Sequence, residues 1–189
     1  MEQGTPLQDV APLERRRSTF LQRVVGAATF RVPVYEEVEH DPHATRQAAG
    51  VVGLVALAAA VSALELGPGG LIAGILGAYI GWALWSGTCY WVGVQLFDGT
   101  ADWGELLRTI GFAQAPGVLL LLRLLPEAGL TLHLLVLAWM IGTVLVAIRQ
   151  ALDFSTGRAL ATALAGFVPY MLGKLLIEWI LGVTPTILP

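Results

Sequence analysis

Charge is scarce in this sequence. Of its 189 residues 13% are charged and 56% are hydrophobic, and the mean hydropathy is +0.70, whereas a soluble globular domain carries about 25% charged residues. So small a polar supply cannot cover a water-facing surface, which excludes an ordinary soluble enzyme, and so rich an apolar one excludes a disordered tail. Cysteine is almost missing too. Cys89 stands alone, so neither an intramolecular disulfide nor a thiolate zinc site can form. With a formal net charge of -3 and a pI near 5.5, the chain has no general basic surface for nucleic acid, whose binding rests on counterion release. Catalytic signatures are equally lacking. There is no Gly-x-Ser-x-Gly elbow, no Gly-x-x-x-x-Gly-Lys-Ser/Thr loop, no His-Glu-x-x-His pair and no pair of aspartates within an apolar run, which leaves enzymatic activity without residue-level support. Nothing calls for a cofactor, and no small-molecule substrate can be read.

What the sequence has is apolar runs of bilayer-spanning length. They cover Gln47 to Leu66, Leu71 to about Phe97, Trp103 to Leu125, Leu130 to Ile148, and Ala159 to about Val183. Gly67-Pro68-Gly69-Gly70 and Pro126-Glu127-Ala128-Gly129 read as tight reversals, and Arg149 to Arg158 reads as a polar loop with Ser155 and Thr156 as candidate caps. Pro116 is expected to bend the third run or mark its interfacial first turn, and Pro169 to interrupt the fifth. The expectation is an all-α polytopic membrane protein: a head over residues 1–46, a five-span bundle over 47–183 and an outer tail over 184–189.

The head holds six of the eleven basic residues. An apolar run that could serve as a signal-peptide core is broken by Gln22, Arg23 and Arg31, so the head is expected to stay attached. Phe20, Leu21, Val24, Val25 and Ala28 recur at helical spacing. They predict an amphipathic helix from Leu13 to Phe30, ended by Pro33, lying on the membrane surface with Arg15, Arg16, Arg17 and Arg23 toward anionic lipid head groups. Asp41-Pro42 then supplies an N-cap with a proline at the first helical position. Counted over alternating flanks of five spans, nine of the eleven cations fall on the head's side, and Arg123 and Lys174 lie within apolar runs. The positive-inside rule thus places the head in the cytoplasm and the tail outside.

Ionisable groups within spans cost about 2.5 to 3.5 kcal/mol at a helix centre, so each needs a reason. Lys174 and Glu178 are four apart and share a helical face, where they can neutralise each other or line an ion path. Glu65, Arg123 and His133 fall at the same outer level and make a candidate polar cluster or a set of interfacial anchors. Gly77 and Gly81 form a Gly-x-x-x-Gly spacing that admits a neighbouring helix. His40 and His43, amid Glu36, Glu37, Glu39 and Asp41, have the residue types of a metal site, but the spacing fits a solvated acidic helix start better. Trp91, Trp103 and Trp179 suit interfacial belts; Trp82, Trp85 and Trp139 suit the bundle or the lipid.

Three segments carry a family likeness: Tyr35-Glu36-Glu37-Val38-Glu39-His40-Asp41-Pro42-His43-Ala44-Thr45-Arg46-Gln47-Ala48, Leu106 to Pro116 with its Arg108-x-x-Gly111-Phe112-Ala113-x-x-Pro116 pattern, and Arg149-Gln150-Ala151-Leu152-Asp153-Phe154-Ser155-Thr156. Together they resemble the bacterial branch of the Yip1 domain family, over about Val32 to Gly182. The resemblance implies a five-span integral membrane protein with a cytoplasmic N-terminus, in a bacterial plasma membrane. Eukaryotic relatives act in vesicle traffic by binding small GTPases and other membrane proteins, and this head shows no recognisable GTPase-binding element. The expected function is a non-enzymatic organiser of lipid or of other membrane proteins, including copies of itself. A small transporter component and an accessory subunit of a larger membrane complex are the rivals.

Overall fold

A computed structural model describes residues 18–61 and 67–180, with the backbone alone for 67–70 and 178. Every regular element among them is helical: α1 (Phe20–Ala28), α2 (Val32–Glu39), α3 (Ala44–Val61), α4 (Gly67–Phe97), α5 (Trp103–Ala113), a 3-10 segment (Ala115–Leu124), α6 (Gly129–Ala151) and α7 (Thr156–Ile180). Five stretches are long and apolar enough to cross a membrane: Ala44–Val61, Leu71–Phe97, Trp103–Leu124, Gly129–Ala151 and Thr156–Ile177. In a bilayer the backbone must satisfy its own polar groups, and long helices do so internally.

Prolines and caps set the boundaries. Asp41 accepts a hydrogen bond from the His43 backbone N–H at 3.1 Å, as an N-cap should. Asp102 and Glu105 exchange reciprocal bonds of 2.7 Å, a capping box at the start of α5. Pro116 has no N–H to donate and its ring obstructs an α-turn, so the α-helix ends at Ala113 and the chain tightens into ten residues of 3-10 helix. Such runs seldom exceed three or four residues. Pro169 lies inside α7, which continues past it.

Three expected boundaries are corrected, the first being the loop expected over Arg149 to Arg158, which shrinks to 152–155 because α6 runs to Ala151 and α7 begins at Thr156. Gly67-Pro68-Gly69-Gly70 is not the reversal but the first turn of α4, a position where proline's missing N–H costs nothing. The passage from α3 to α4 falls at 62–66, outside the described residues. Pro33 does not simply stop a helix: α1 ends at Ala28, and Pro33 occupies the first turn of a second helix, α2.

The core lies where α2, α3, α5 and α6 meet. Tyr35, Val38, Leu106, Ile110, Phe112 and Ile148 are fully buried there. Helix α7 packs chiefly along α4, and glycines let the two approach. A β-carbon on Gly81 would stand 2.6 Å from the Tyr170 ring, and one on Gly166 would strike Trp85 and Cys89.

Candidate functional site

At the end of the bundle that carries the head, two arginines tie α1 and α2 to the spans. Arg23 is 2% exposed. Its guanidinium donates to Glu37 Oε1 at 2.9 and 3.2 Å, to Asp41 Oδ2 at 2.7 Å and to Gln47 Oε1 at 3.0 Å. One side chain of α1 therefore joins α2, the cap of α3 and the first turn of α3. Burial works against its charge, but the bonds and charges of Glu37 and Asp41 outweigh that and raise its pKa above the usual value. Burial likewise works against the charge of Glu37, yet bonds from Ser18 and Arg23, with the charge of Arg23, hold its carboxyl below the ordinary range.

Arg108, on α5, is 8% exposed. Its Nε donates to the carbonyls of Val38 at 3.1 Å and Glu39 at 2.9 Å, and a terminal nitrogen donates to Glu39 as well. A cation thus satisfies the unpaired carbonyls at the C-terminus of α2, where the helix dipole favours positive charge. Around it, burial of Glu39, with added repulsion from Glu105, Asp153 and Glu36, pushes that carboxyl up to about 7, against the opposing pull of His40. His40 is raised by the bond between its ring and the Glu36 carbonyl, and by the charge of Glu39. Arg23, Glu37, His40, Asp41, Pro42 and His43 line an open polar basin of about 390 Å³. Among the described residues no cluster of three His, Cys, Asp or Glu side chains could hold a metal ion.

The other end of α1 is also held. The Tyr35 hydroxyl lies 2.9 Å from the Ala27 carbonyl oxygen and 3.3 Å from that of Thr143. The Trp139 indole N–H donates to Ala28 at 2.8 Å, so α2 and α6 each supply a partner for one of the last carbonyls of α1.

This overturns one expected role. Arg23 does not face lipid head groups; four acceptor contacts draw it inward, while Leu21 and Val25 point outward at 68% and 51% exposure. The helix is described only from Phe20, and Arg15, Arg16 and Arg17 lie outside the described residues, as does Glu65. The Gly77 and Gly81 pair divides. Gly81 meets Tyr170, whereas a β-carbon on Gly77 would touch nothing within 4 Å. Gly77 instead borders a cavity of about 220 Å³, whose wall includes Lys174, Gln114, Tyr170 and Met140. The side chain of Glu178 is not described. Arg123 is exposed and His133 half-buried, and the Nδ1 of His133 is buried with no partner among the described residues.

Sequence reasoning missed the roles of Glu37, Asp41, Gln47 and Arg108 as one junction. A signal was present: all four lie in the first two segments of the family likeness, and those segments meet here. The third segment closes the same end, with Leu152 seated against Gly93 and Phe154 edge-on to Phe97 at 6.1 Å. The Yip1 domain family profile matches residues 31–177. No curated protein and no solved structure matches the chain.

Proposed function

Because the chain belongs to the Yip1 domain family and is an integral membrane protein, we propose that it organises other membrane proteins or lipid without catalysing a reaction. The observation that carries this reading is the Arg23 junction, which fixes α1 and α2 to the start of α3 and leaves His40, Pro42 and His43 exposed beside it. A polar end held in that way offers a shaped surface rather than a floating tether. The distribution of cations supports a cytoplasmic head and an outer tail, and the likeness of the three segments to the bacterial branch of the family supports a bacterial plasma membrane. Residues 1–46, 47–183 and 184–189 serve as head, bundle and tail in this reading. Crosslinking in native membranes from a photoreactive residue at His43, exposed at the polar end, tests it: recovery of a discrete partner or a second copy is expected, and attachment to lipid alone together with a solitary monomer in mild detergent contradicts it.

A second reading has its own observation. The cavity beside Lys174 lies among five helical elements and has polar groups on its wall, as a small transporter or permease component would need. Neutralising Lys174 and Glu178 together should then abolish solute or proton flux in liposomes, and unchanged flux removes that reading.

A further inference from the structure

The head helices do not lie across the end of the bundle. They run along its side. The open end of the α1–α2 hairpin is at the polar junction, where Arg23 of α1 meets Glu37, Asp41 and Gln47. The closed end reaches elsewhere: Ala28 is bonded to Trp139, the Phe30 ring lies 3.1 Å from where a β-carbon of Gly142 would stand, and Tyr35 reaches the Thr143 carbonyl. Helix α6 spans Gly129–Ala151. Trp139 is therefore twelve residues from its head-side end and ten from its other end, about 18 Å and 15 Å along the axis at 1.5 Å per residue. The hydrocarbon core of a bilayer is about 30 Å thick. The tip of the hairpin thus stands level with the middle of a membrane-spanning helix.

We propose that α1 and α2 form a re-entrant hairpin seated in the acyl region of the head-side leaflet, with lipid chains as the partner of the face formed by Leu21, Val25 and Val32. These side chains are 68%, 51% and 37% exposed. The hairpin meets the conditions for such depth. Non-spanning backbone is tolerated within a membrane where protein satisfies its polar groups, and here Tyr35 and Trp139 approach or bond the last carbonyls of α1. Thr29, at the tip, returns its hydroxyl to the Val25 carbonyl at 2.8 Å. The two helices close tightly, with Gly26 against Val34. Arg31, the charged side chain at the tip, has a flexible stem that can carry its head toward the polar level. Because the insert occupies one leaflet only, the protein is broader in its head-side half, which makes it a wedge in the bilayer. The inference needs membrane insertion of the bundle and is independent of whether the protein recruits partners.

Nitroxide labels placed singly by Leu21→Cys, Val25→Cys and Val32→Cys, with Asp98→Cys as the exposed reference, test this in phosphatidylcholine liposomes; native Cys89 is fully buried and stays unlabelled. Collision with oxygen, which concentrates in lipid, is compared with collision with a water-soluble nickel chelate. The expected result is a gradient, with the ratio favouring oxygen rising from Leu21 through Val25 to Val32, and all three well above Asp98. Three equal and shallow values would mean a helix lying on the surface and would overturn the proposal. Low collision with both reagents would mean a protein contact in place of lipid and would overturn it as well.

Discussion

Arg23 is the residue on which the most structure depends. Removing its guanidinium leaves Glu37 and Asp41 half-buried or nearly so without their cation, a more expensive state than having no charges there at all. Arg23→Met should destabilise the detergent-solubilised protein by roughly 2 to 4 kcal/mol, measured by thermal unfolding, and adding Glu37→Gln should recover part of that loss. Equal stability of the wild type and the single variant would show the junction to be idle. Glu39 makes a pH prediction of the opposite character. Its folded pKa, about 7, lies above the ordinary 4.5, so the folded state holds this proton more tightly than the unfolded chain. Stability from Glu39 is full below pH 4.5 and is lost as pH rises to about 7. His40, also raised, adds a loss of the same sign above its ordinary value, and Glu37, lowered, adds one on the acid side as pH falls through its folded pKa. Glu39→Gln should remove the decline between pH 4.5 and 7 and melt higher than the wild type at pH 8; an unchanged profile would contradict the burial and repulsion assigned to that carboxyl.

Among elements, the spans were legible because hydrophobic length is read directly from composition, and the described helices fall on the expected runs. The head was less so. Periodicity found the helix around Phe20 to Ala28 but assigned its outside by charge, and it could not show that Arg23 has acceptors waiting on α2 and α3, since those contacts join residues 14 to 24 positions apart. Nor does a proline announce ten residues of 3-10 helix; Pro116 predicted a bend, and the tightening that follows depends on how the segment packs beside α6 and α3. The glycines show the same limit. Composition makes Gly74, Gly77, Gly81 and Gly166 look equivalent, yet only the latter two stand against a neighbouring side chain. Gly166→Ala should therefore force α7 from α4 and cost about 1 to 3 kcal/mol, as overpacking does, while Gly74→Ala, with nothing within 4 Å of its added carbon, should leave the melting temperature unchanged. Equal losses at both positions would deny that α4 and α7 meet as described.

For the whole molecule, the three segments of the family likeness gather at one end, and the cavity beside Lys174 lies among α3, α4, the 3-10 segment, α6 and α7. That asymmetry gives the proposed function its direction: one end is bonded, polar and able to meet partners in the compartment it faces. It depends on the chain crossing the bilayer five times, which places Asp98 and Glu127, both exposed and both in breaks between helices, on opposite sides. Single cysteines at these two positions, challenged with a membrane-impermeant maleimide in sealed right-side-out bacterial vesicles, measure this directly. The account predicts that Glu127→Cys is labelled at once and Asp98→Cys only after the vesicles are opened; labelling of both positions before opening, or of neither, would contradict it.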